Sequence, residues 1–345
     1  MKSLLKIVKR LLPLLISLAV MAYLFGVRTD PEENLKMASE VSFPYLMAAA
    51  AFTLFSFLFA AWRLKFLVNL LGHRAGLSRI MVYTLVGHFY NNAIPGGAVG
   101  GDAVKALYLA QVTGKKSEAF AAVLVDRLCG LFMLATIALV MLAPTLGDEN
   151  SWQSAIVIVS FSGAAFGGIF GMTSRRVRRW FPTHWFKNMP GRDAVIVFDE
   201  AMQVFRGHKK GLITAMLISA VPQLGWIGMH VIIGQGMGIE QIGWSEYAVL
   251  VPVAGMIGAL PISFGGWGVG EAAMAHFMSL HAKTDAAAKV LYNKGVVLSA
   301  IGRLTQLVVS LLGLAASWAL PKPRDLGAAV ASEDVLDSTE EADLR

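Results

Sequence analysis

The chain has 345 residues, of which 56% are hydrophobic and only 15% are charged. A soluble domain normally carries about a quarter charged residues. The net charge of +7 does not indicate nucleic-acid binding, because the basic residues cluster in short segments between apolar blocks, as in loops that face anionic lipid. We therefore expect an integral membrane protein with no nucleic-acid partner.

Eight apolar blocks follow one another along the chain. They run over residues 11–27, 45–71, 80–110, 117–142, 152–172, 212–234, 244–281 and 286–320. About 20 apolar residues cross the hydrocarbon core of a bilayer as a helix, and six of these blocks are uninterrupted. The sequence therefore predicts an all-α polytopic membrane protein with about six full transmembrane helices.

The other two blocks are broken by glycine-rich segments, at 95–101 and at 261–270. Glycine and proline at this density end a helix. Each break leaves two arms of roughly 9 to 17 residues, which suits a re-entrant segment better than a full span. The sequence thus predicts two re-entrant broken segments.

The loop charges support the same topology. If both broken blocks return to the side from which they enter, the basic segments fall on one face: the N-terminus, 63–79, 115–116, 175–210 and 322–324. The positive-inside rule makes that face cytoplasmic, with both chain termini on it.

The predicted domain organisation has two parts. A membrane domain covers residues 1–320, with halves at 45–142 and 212–320 joined by a span and a basic cytoplasmic loop at 173–211. An acidic tail at 321–345 is expected to be disordered and cytoplasmic.

The two breaks share a sequence pattern. Each follows a proline and reads two glycines, three further residues, a glycine, an acid and an alanine, with Asp102 as the acid in the first and Glu271 in the second. Downstream of each break an arginine lies within an apolar run, at Arg127 and Arg303. The first break is expected to enter from the cytoplasm and the second from outside, which is the inverted-repeat plan of secondary transporters, with a substrate site at the paired breaks.

The polar residues at the breaks are candidates for substrate binding. Ionisable groups within a bilayer cost several kcal/mol unless they are paired, so they mark functional sites by default, and glycines let backbone approach a ligand closely. The candidates are Asn91, Asn92, Gly96, Gly97, Gly100, Gly101, Asp102, Lys105, Asp126, Arg127, Gly265, Gly266, Gly270, Glu271 and Arg303.

A structural role remains open for each candidate. The acids and arginines could form ion pairs that only lock the two halves together. The asparagines could satisfy broken backbone groups, and Lys105 could pair with Asp102. No metal site, catalytic residue or cofactor is expected, because the acids are scattered, the seven histidines lack a zinc spacing, and Cys129 is the only cysteine.

The segments 91–105, 125–128 and 261–271 together resemble the membrane domain of the lysylphosphatidylglycerol synthase/flippase family. The resemblance covers roughly residues 4–320. It implies a bacterial inner-membrane protein related to the part that moves aminoacylated phospholipid between leaflets. The bifunctional members append a soluble aminoacyl-transferase domain, which the 25 residues after Leu320 are not expected to supply, so the resemblance implies lipid translocation rather than lipid synthesis.

The predicted function is therefore that of a lipid flippase, and not of an enzyme. It would move a phospholipid or another polar-headgroup lipid, whether anionic, aminoacylated or a lipid-linked intermediate. No nucleotide-binding P-loop is present in the sequence. Two alternatives stay open: a non-catalytic membrane partner of a lipid- or glycan-modifying enzyme, and an intramembrane transferase using a lipid-linked donor. Association into a homo-oligomer or with a lipid-modifying enzyme is also possible.

Overall fold

The computed structural model describes residues 2–93, 97–145, 151–173, 203–260 and 263–323. Within these ranges the protein is helical and contains no strand, so the predicted all-α class is confirmed. Most of the predicted basic loop and nearly all of the predicted acidic tail lie outside the described residues, and both stay predictions.

Twelve α-helices lie in the described ranges. They are α1 (Lys2–Tyr23), α2 (Pro31–Glu40), α3 (Phe43–Leu70), α4 (Leu77–Ala93), α5 (Gly97–Thr113), α6 (Lys116–Leu142), α7 (Ser151–Thr173), α8 (Lys209–Ile218), α9 (Ala220–Gly236), α10 (Trp244–Gly258), α11 (Val269–Ser279) and α12 (Asp285–Ser317). A π-helical turn, Leu24–Arg28, ends α1, and a 3₁₀ turn, Phe264–Gly266, precedes α11.

Four of the described helical segments are long and apolar enough to cross a membrane: α3, α6, α8 with α9, and α12. A fifth is formed if Leu14–Arg28 and Pro31–Glu40, which bend by 92° at the break that follows the π-helical turn, act as one span. The polytopic membrane class is therefore confirmed, while the count of six full spans stays a prediction.

The exposed surface of α3 suits lipid rather than water. Phe43 is 72% exposed, and Met47, Phe55 and Leu58 are also exposed. A helix with apolar residues on its outer face as well as its inner face is stable only where the surroundings are apolar too.

The first broken block folds into a hairpin. The rings of Tyr83 on α4 and Tyr108 on α5 lie 5.2 Å apart, and nearer the break a Cβ added to Gly101 would lie 2.1 Å from the carbonyl oxygen of Gly87. These pairs show that α4 and α5 run antiparallel, side by side. Each has 17 residues and so measures about 25 Å, which is less than a bilayer core. Such a hairpin is the form expected of a re-entrant segment.

The second broken block also folds back on itself. Its arms, α10 and α11, have 15 and 11 residues and pack against each other. Close to the break, the Cα of Gly270 lies within van der Waals contact of the position of a Cβ on Gly258. The absence of side chains lets the two backbones meet there.

The two hairpins open towards opposite ends of the bundle. The open end of the first hairpin, where α5 ends, lies beside the end of α12, since Gln111 Nε2 donates to the carbonyl of Pro321 at 3.1 Å. The open end of the second hairpin, where α10 begins, lies beside the first part of α12, since Lys294 Nζ donates to the carbonyl of Gly238, just before α10, at 3.0 Å.

Packing between the halves follows a matching pattern. The first arm of the first hairpin, α4, packs on α12, and the first arm of the second, α10, packs on α6. The leading spans of the two halves, α3 and α9, pack on each other. The inverted repeat itself stays a prediction, and an opposed pair of hairpins with exchanged packing is what such a repeat requires.

Candidate functional site

The two glycine-rich breaks meet inside the bundle. Trp267, in the second break, donates from its indole Nε1 to the carbonyl oxygen of Asn92, at the end of α4, at 3.3 Å. A Cβ added to Gly265 would lie 2.7 Å from the carbonyl oxygen of Asn91. The tips of the hairpins are therefore in direct contact, as predicted for paired broken segments.

An ion pair organises the second break. Glu271 is fully buried and accepts hydrogen bonds from Arg303 Nε at 2.6 Å and from the backbone N–H of Gly268 at 2.6 Å. Arg303 also donates to the carbonyl of Gly265 at 2.7 Å and to that of Gly266 at 3.2 Å. Broken backbone at membrane depth needs such partners. Here one arginine donates hydrogen bonds to two backbone carbonyls and to a carboxylate.

The glycines of the second break have conformational and packing roles. Gly265, Gly266 and Gly268 have φ values of +54°, +79° and +82°, which side-chain-bearing residues rarely adopt. A Cβ on Gly270 would lie 2.8 Å from Arg303 Nη2. The backbone angles and the close packing explain why glycine occupies these positions, and no ligand is needed for that explanation. The predicted substrate contact at Gly265, Gly266 and Gly270 stays a prediction.

The first break has a larger charged cluster. Arg127 on α6 donates from Nη1 to Asp102 Oδ2 on α5. Lys105 Nζ lies 3.6 Å from Asp102 Oδ1 and 3.4 Å from Asp126 Oδ2. Asp102, Lys105, Asp126 and Arg127, four predicted site residues, are thereby brought together.

A further arginine completes this cluster. Arg63 on α3 is 5% exposed and donates from Nε to Asp126 Oδ1 at 2.7 Å and from Nη1 to Ser219 Oγ at 2.8 Å. Arg63 was predicted to begin the basic segment 63–79 between two apolar blocks, and for this residue the prediction is wrong, because Arg63 lies within α3 and is buried. Its position within the apolar block 45–71 was the signal that could have identified it.

The asparagines and the remaining glycines of the first break have separate roles where the structure describes them. Asn92 Nδ2 donates to the carbonyl of His88 at 2.9 Å, which is the backbone-satisfying role left open in the sequence. Asn91 Oδ1 is buried without a hydrogen-bond partner in the described part of the chain. Gly97 begins α5, Gly100 has open space around it, and Gly96 lies outside the described residues.

The two halves differ in charge and openness. Among the contacts described, the first cluster opposes three cations, Arg63, Lys105 and Arg127, with two carboxylates. The second has one cation and one carboxylate, Arg303 and Glu271. The side chain of Arg127 is 33% exposed and that of Arg303 16%. The first break is therefore the more cationic and the more accessible of the two.

No group of three or more histidine, cysteine or acidic side chains within the described ranges has a geometry that could hold a metal ion. The acidic residues near the breaks pair with arginine and lysine side chains instead. On the residues described, the chemistry of the site is therefore that of ion pairing and hydrogen bonding.

An apolar helical bundle in which two glycine-broken hairpins meet beside buried ion pairs defines a class: a polytopic membrane protein with an intramembrane polar site. The family described as "Lysylphosphatidylglycerol synthase TM region" matches residues 10–313. The chain belongs to this family, and the resemblance found in the sequence is confirmed.

A curated relative supports a membrane role. The chain is similar to "UPF0104 membrane protein MJ1595" from Methanocaldococcus jannaschii, with 32% identity over 127 residues. The alignment covers 35% of this chain and 36% of the relative, so it spans about a third of that protein's length.

Proposed function

We propose that the protein moves a polar-headgroup lipid, such as a phospholipid, between the leaflets of a bacterial inner membrane. The headgroup would pass the charged cluster at the first break while the acyl chains stay in lipid. Family membership and the membrane-spanning helices support a membrane lipid-related role. The observation that carries the proposal is the buried charged cluster at the first break, where three cations face two carboxylates among the contacts described.

A phosphodiester headgroup suits this surplus. Among the described contacts, its single negative charge would match the excess of three cations over two carboxylates, and the cost of placing charge within a bilayer favours such a partner. Arg127 is the donor that we assign to the phosphate, because its side chain is 33% exposed. Lys105, which bridges Asp102 and Asp126, would add positive charge close by. Asn91 Oδ1 is available to accept a hydrogen bond from a headgroup hydroxyl or ammonium.

The second break has a different part in this proposal. Arg303 donates to Glu271 and to the carbonyls of Gly265 and Gly266, so we assign it to holding the broken backbone rather than to binding phosphate. Movement of lipid would require the tips to separate, with the Trp267–Asn92 hydrogen bond among the contacts that open.

We also propose that both termini are cytoplasmic and that the protein acts without being an enzyme. Transport would be downhill or coupled to an ion. The alternatives of a non-catalytic membrane partner and of an intramembrane transferase are distinguished by the experiment that follows.

The test is reconstitution into liposomes that contain a fluorescent phospholipid. We expect the wild-type protein to accelerate transbilayer movement, and Arg127→Gln to reduce the rate per folded molecule at least about tenfold, because one charge-assisted phosphate contact is lost. Lys36→Gln is the matched control, since Lys36 is solvent-exposed and lies on α2, outside the charged clusters.

Three outcomes would contradict the proposal. Movement no faster than in protein-free liposomes would favour the membrane-partner role. Formation of a modified lipid would favour the transferase. Wild-type rates for Arg127→Gln, with normal folding shown by its melting temperature, would show that the headgroup does not depend on the charged cluster for its passage.

A further inference from the structure

The geometry points to a second lipid-headgroup site at one end of the bundle, away from the breaks. A cavity of about 250 Å³ lies where α12 begins. Its walls are formed by Arg28, Ser279, Asp285, Ala288, Lys289, Tyr292 and Asn293. This inference rests on the proposed function, because it describes where a headgroup would be held at the membrane surface before or after crossing.

Two cations line this cavity. Arg28 ends the π-helical turn, and its guanidinium carbon lies 5.1 Å from the centre of the Tyr292 ring, which fixes its direction. Lys289 lies one turn earlier on the same helix as Tyr292. An arginine held over an aromatic ring keeps its outer N–H groups free to contact an oxyanion, with a lysine ammonium as a second point charge. The cavity therefore suits a phosphate group.

A buried amide beside these cations adds a different requirement. Asn293 is 4% exposed, and its Nδ2 donates to Glu33 Oε2 across a long 3.4 Å. Its Oδ1 is buried without a hydrogen-bond partner in the part of the chain that the structure describes. Buried acceptors are nearly always satisfied, so this oxygen favours a ligand that brings a donor. Asp285, which also lines the cavity, offers a second acceptor.

Exposed apolar residues adjoin the two lining cations in the chain. Val27 and Val290, the chain neighbours of Arg28 and Lys289, are 75% and 51% exposed. Exposed apolar side chains beside cations in this way suit the interface between headgroups and acyl chains. We therefore assign the site to a membrane phospholipid whose headgroup carries a hydroxyl or ammonium donor, rather than to free phosphate.

The test is equilibrium binding of a short-chain fluorescent phosphatidylglycerol to the full-length protein in detergent. We expect two sites in the wild type and one in Arg28→Gln/Lys289→Gln, with at least about a tenfold loss of affinity at the site that is lost. Lys283→Gln is the matched control, since this exposed lysine lies just before α12 but does not line the cavity. Asn293→Leu should reduce the preference for phosphatidylglycerol over phosphatidylcholine, whose headgroup has no donor.

Two results would overturn the inference. Unchanged stoichiometry and affinity in Arg28→Gln/Lys289→Gln would show that the cavity does not bind the lipid. Equal competition by inorganic phosphate and by unlabelled lipid would show that it binds free phosphate instead. Because binding in detergent does not require transport, the site can be confirmed even if the liposome experiment contradicts the proposed function.

Discussion

At the residue scale, the matched acids of the two breaks have unequal surroundings. Glu271 has no exposed surface and has both its oxygens bonded within its own half. Asp102 pairs with Arg127 and lies near Lys105 in a cluster with surplus positive charge. The same position in the sequence pattern therefore has a closed ion pair in one half and a place in a larger charged cluster in the other, and the proposed function assigns transport to the second.

This difference makes the two neutral variants separable. Glu271→Gln should destabilise the protein by about 3–5 kcal/mol, because it leaves the Arg303 guanidinium buried without its counter-charge. Asp102→Asn should cost less stability but lower transport per folded molecule severalfold or more. A melting assay beside liposome transport measures both effects. If both variants lost the same stability and transported lipid normally, the two acids would have only a structural role in ion pairs.

Arg63 offers a second test at this scale. We expect Arg63→Gln to lower the melting temperature strongly, because Asp126 loses its closest cation and Ser219 loses a donor. Combining Arg63→Gln with Asp126→Asn should recover part of the loss, since the buried charge is then removed together with its partner. The control is Lys65→Gln, a lysine on the same helix outside the cluster. Simple additivity of the two losses would show that Arg63 and Asp126 do not interact.

At the scale of elements, the first hairpin depends on close backbone contact between α4 and α5. A Cβ on Gly101 would lie 2.1 Å from Gly87 O and 2.5 Å from the backbone nitrogen of Asn91, whereas a Cβ on Gly100 would meet nothing within 4 Å. Gly101→Ala should therefore separate the arms and destabilise the protein by about 1–3 kcal/mol, while Gly100→Ala should be neutral or slightly stabilising. Chemical or thermal melting of the two variants compares them directly, and equal stability would contradict the hairpin packing.

The contact between hairpin tips gives another prediction. Trp267→Phe keeps a ring beside Arg303, whose guanidinium carbon lies 4.9 Å from the Trp267 ring centre, but removes the N–H that bonds Asn92. We expect hydrogen exchange in the segments around Asn92 and Gly265 to accelerate severalfold, because the tips separate more often. Trp244→Phe, at a half-exposed tryptophan at the start of α10, is the control. Unchanged exchange would mean that the indole does not hold the tips together.

At the scale of the whole molecule, the opposed hairpins predict which loops share a side of the membrane. With Cys129 replaced by alanine, cysteines introduced at Glu240 and Lys283 should react with an impermeant thiol reagent in intact cells. Cysteines at Arg74 and Lys116 should react only after the membrane is opened. The first pair flanks one hairpin and the second pair flanks the other. Different labelling within either pair would show that its hairpin crosses the membrane instead of returning.

The amino-acid sequence by itself determined the membrane class, the positions of both breaks and the matched acids and arginines. These are local properties, because the length of an apolar run and the density of glycine act on a segment whatever surrounds it. The family resemblance also depended only on these short segments. The buried position of Arg63 was missed because a basic residue near the end of an apolar block can either line a loop or turn into the bundle.

Only the tertiary structure decided which charges meet. Arg63 joins Asp126 from a helix 63 residues away, Arg303 bonds the carbonyls of the second break, and the first break gathers the surplus cations. Each of these contacts depends on how a helix is rotated about its axis and which neighbour it packs against. Those quantities are set by the close approach of glycine-rich surfaces across the bundle. The matched acid and arginine therefore pair in both halves, but their further partners differ between the halves.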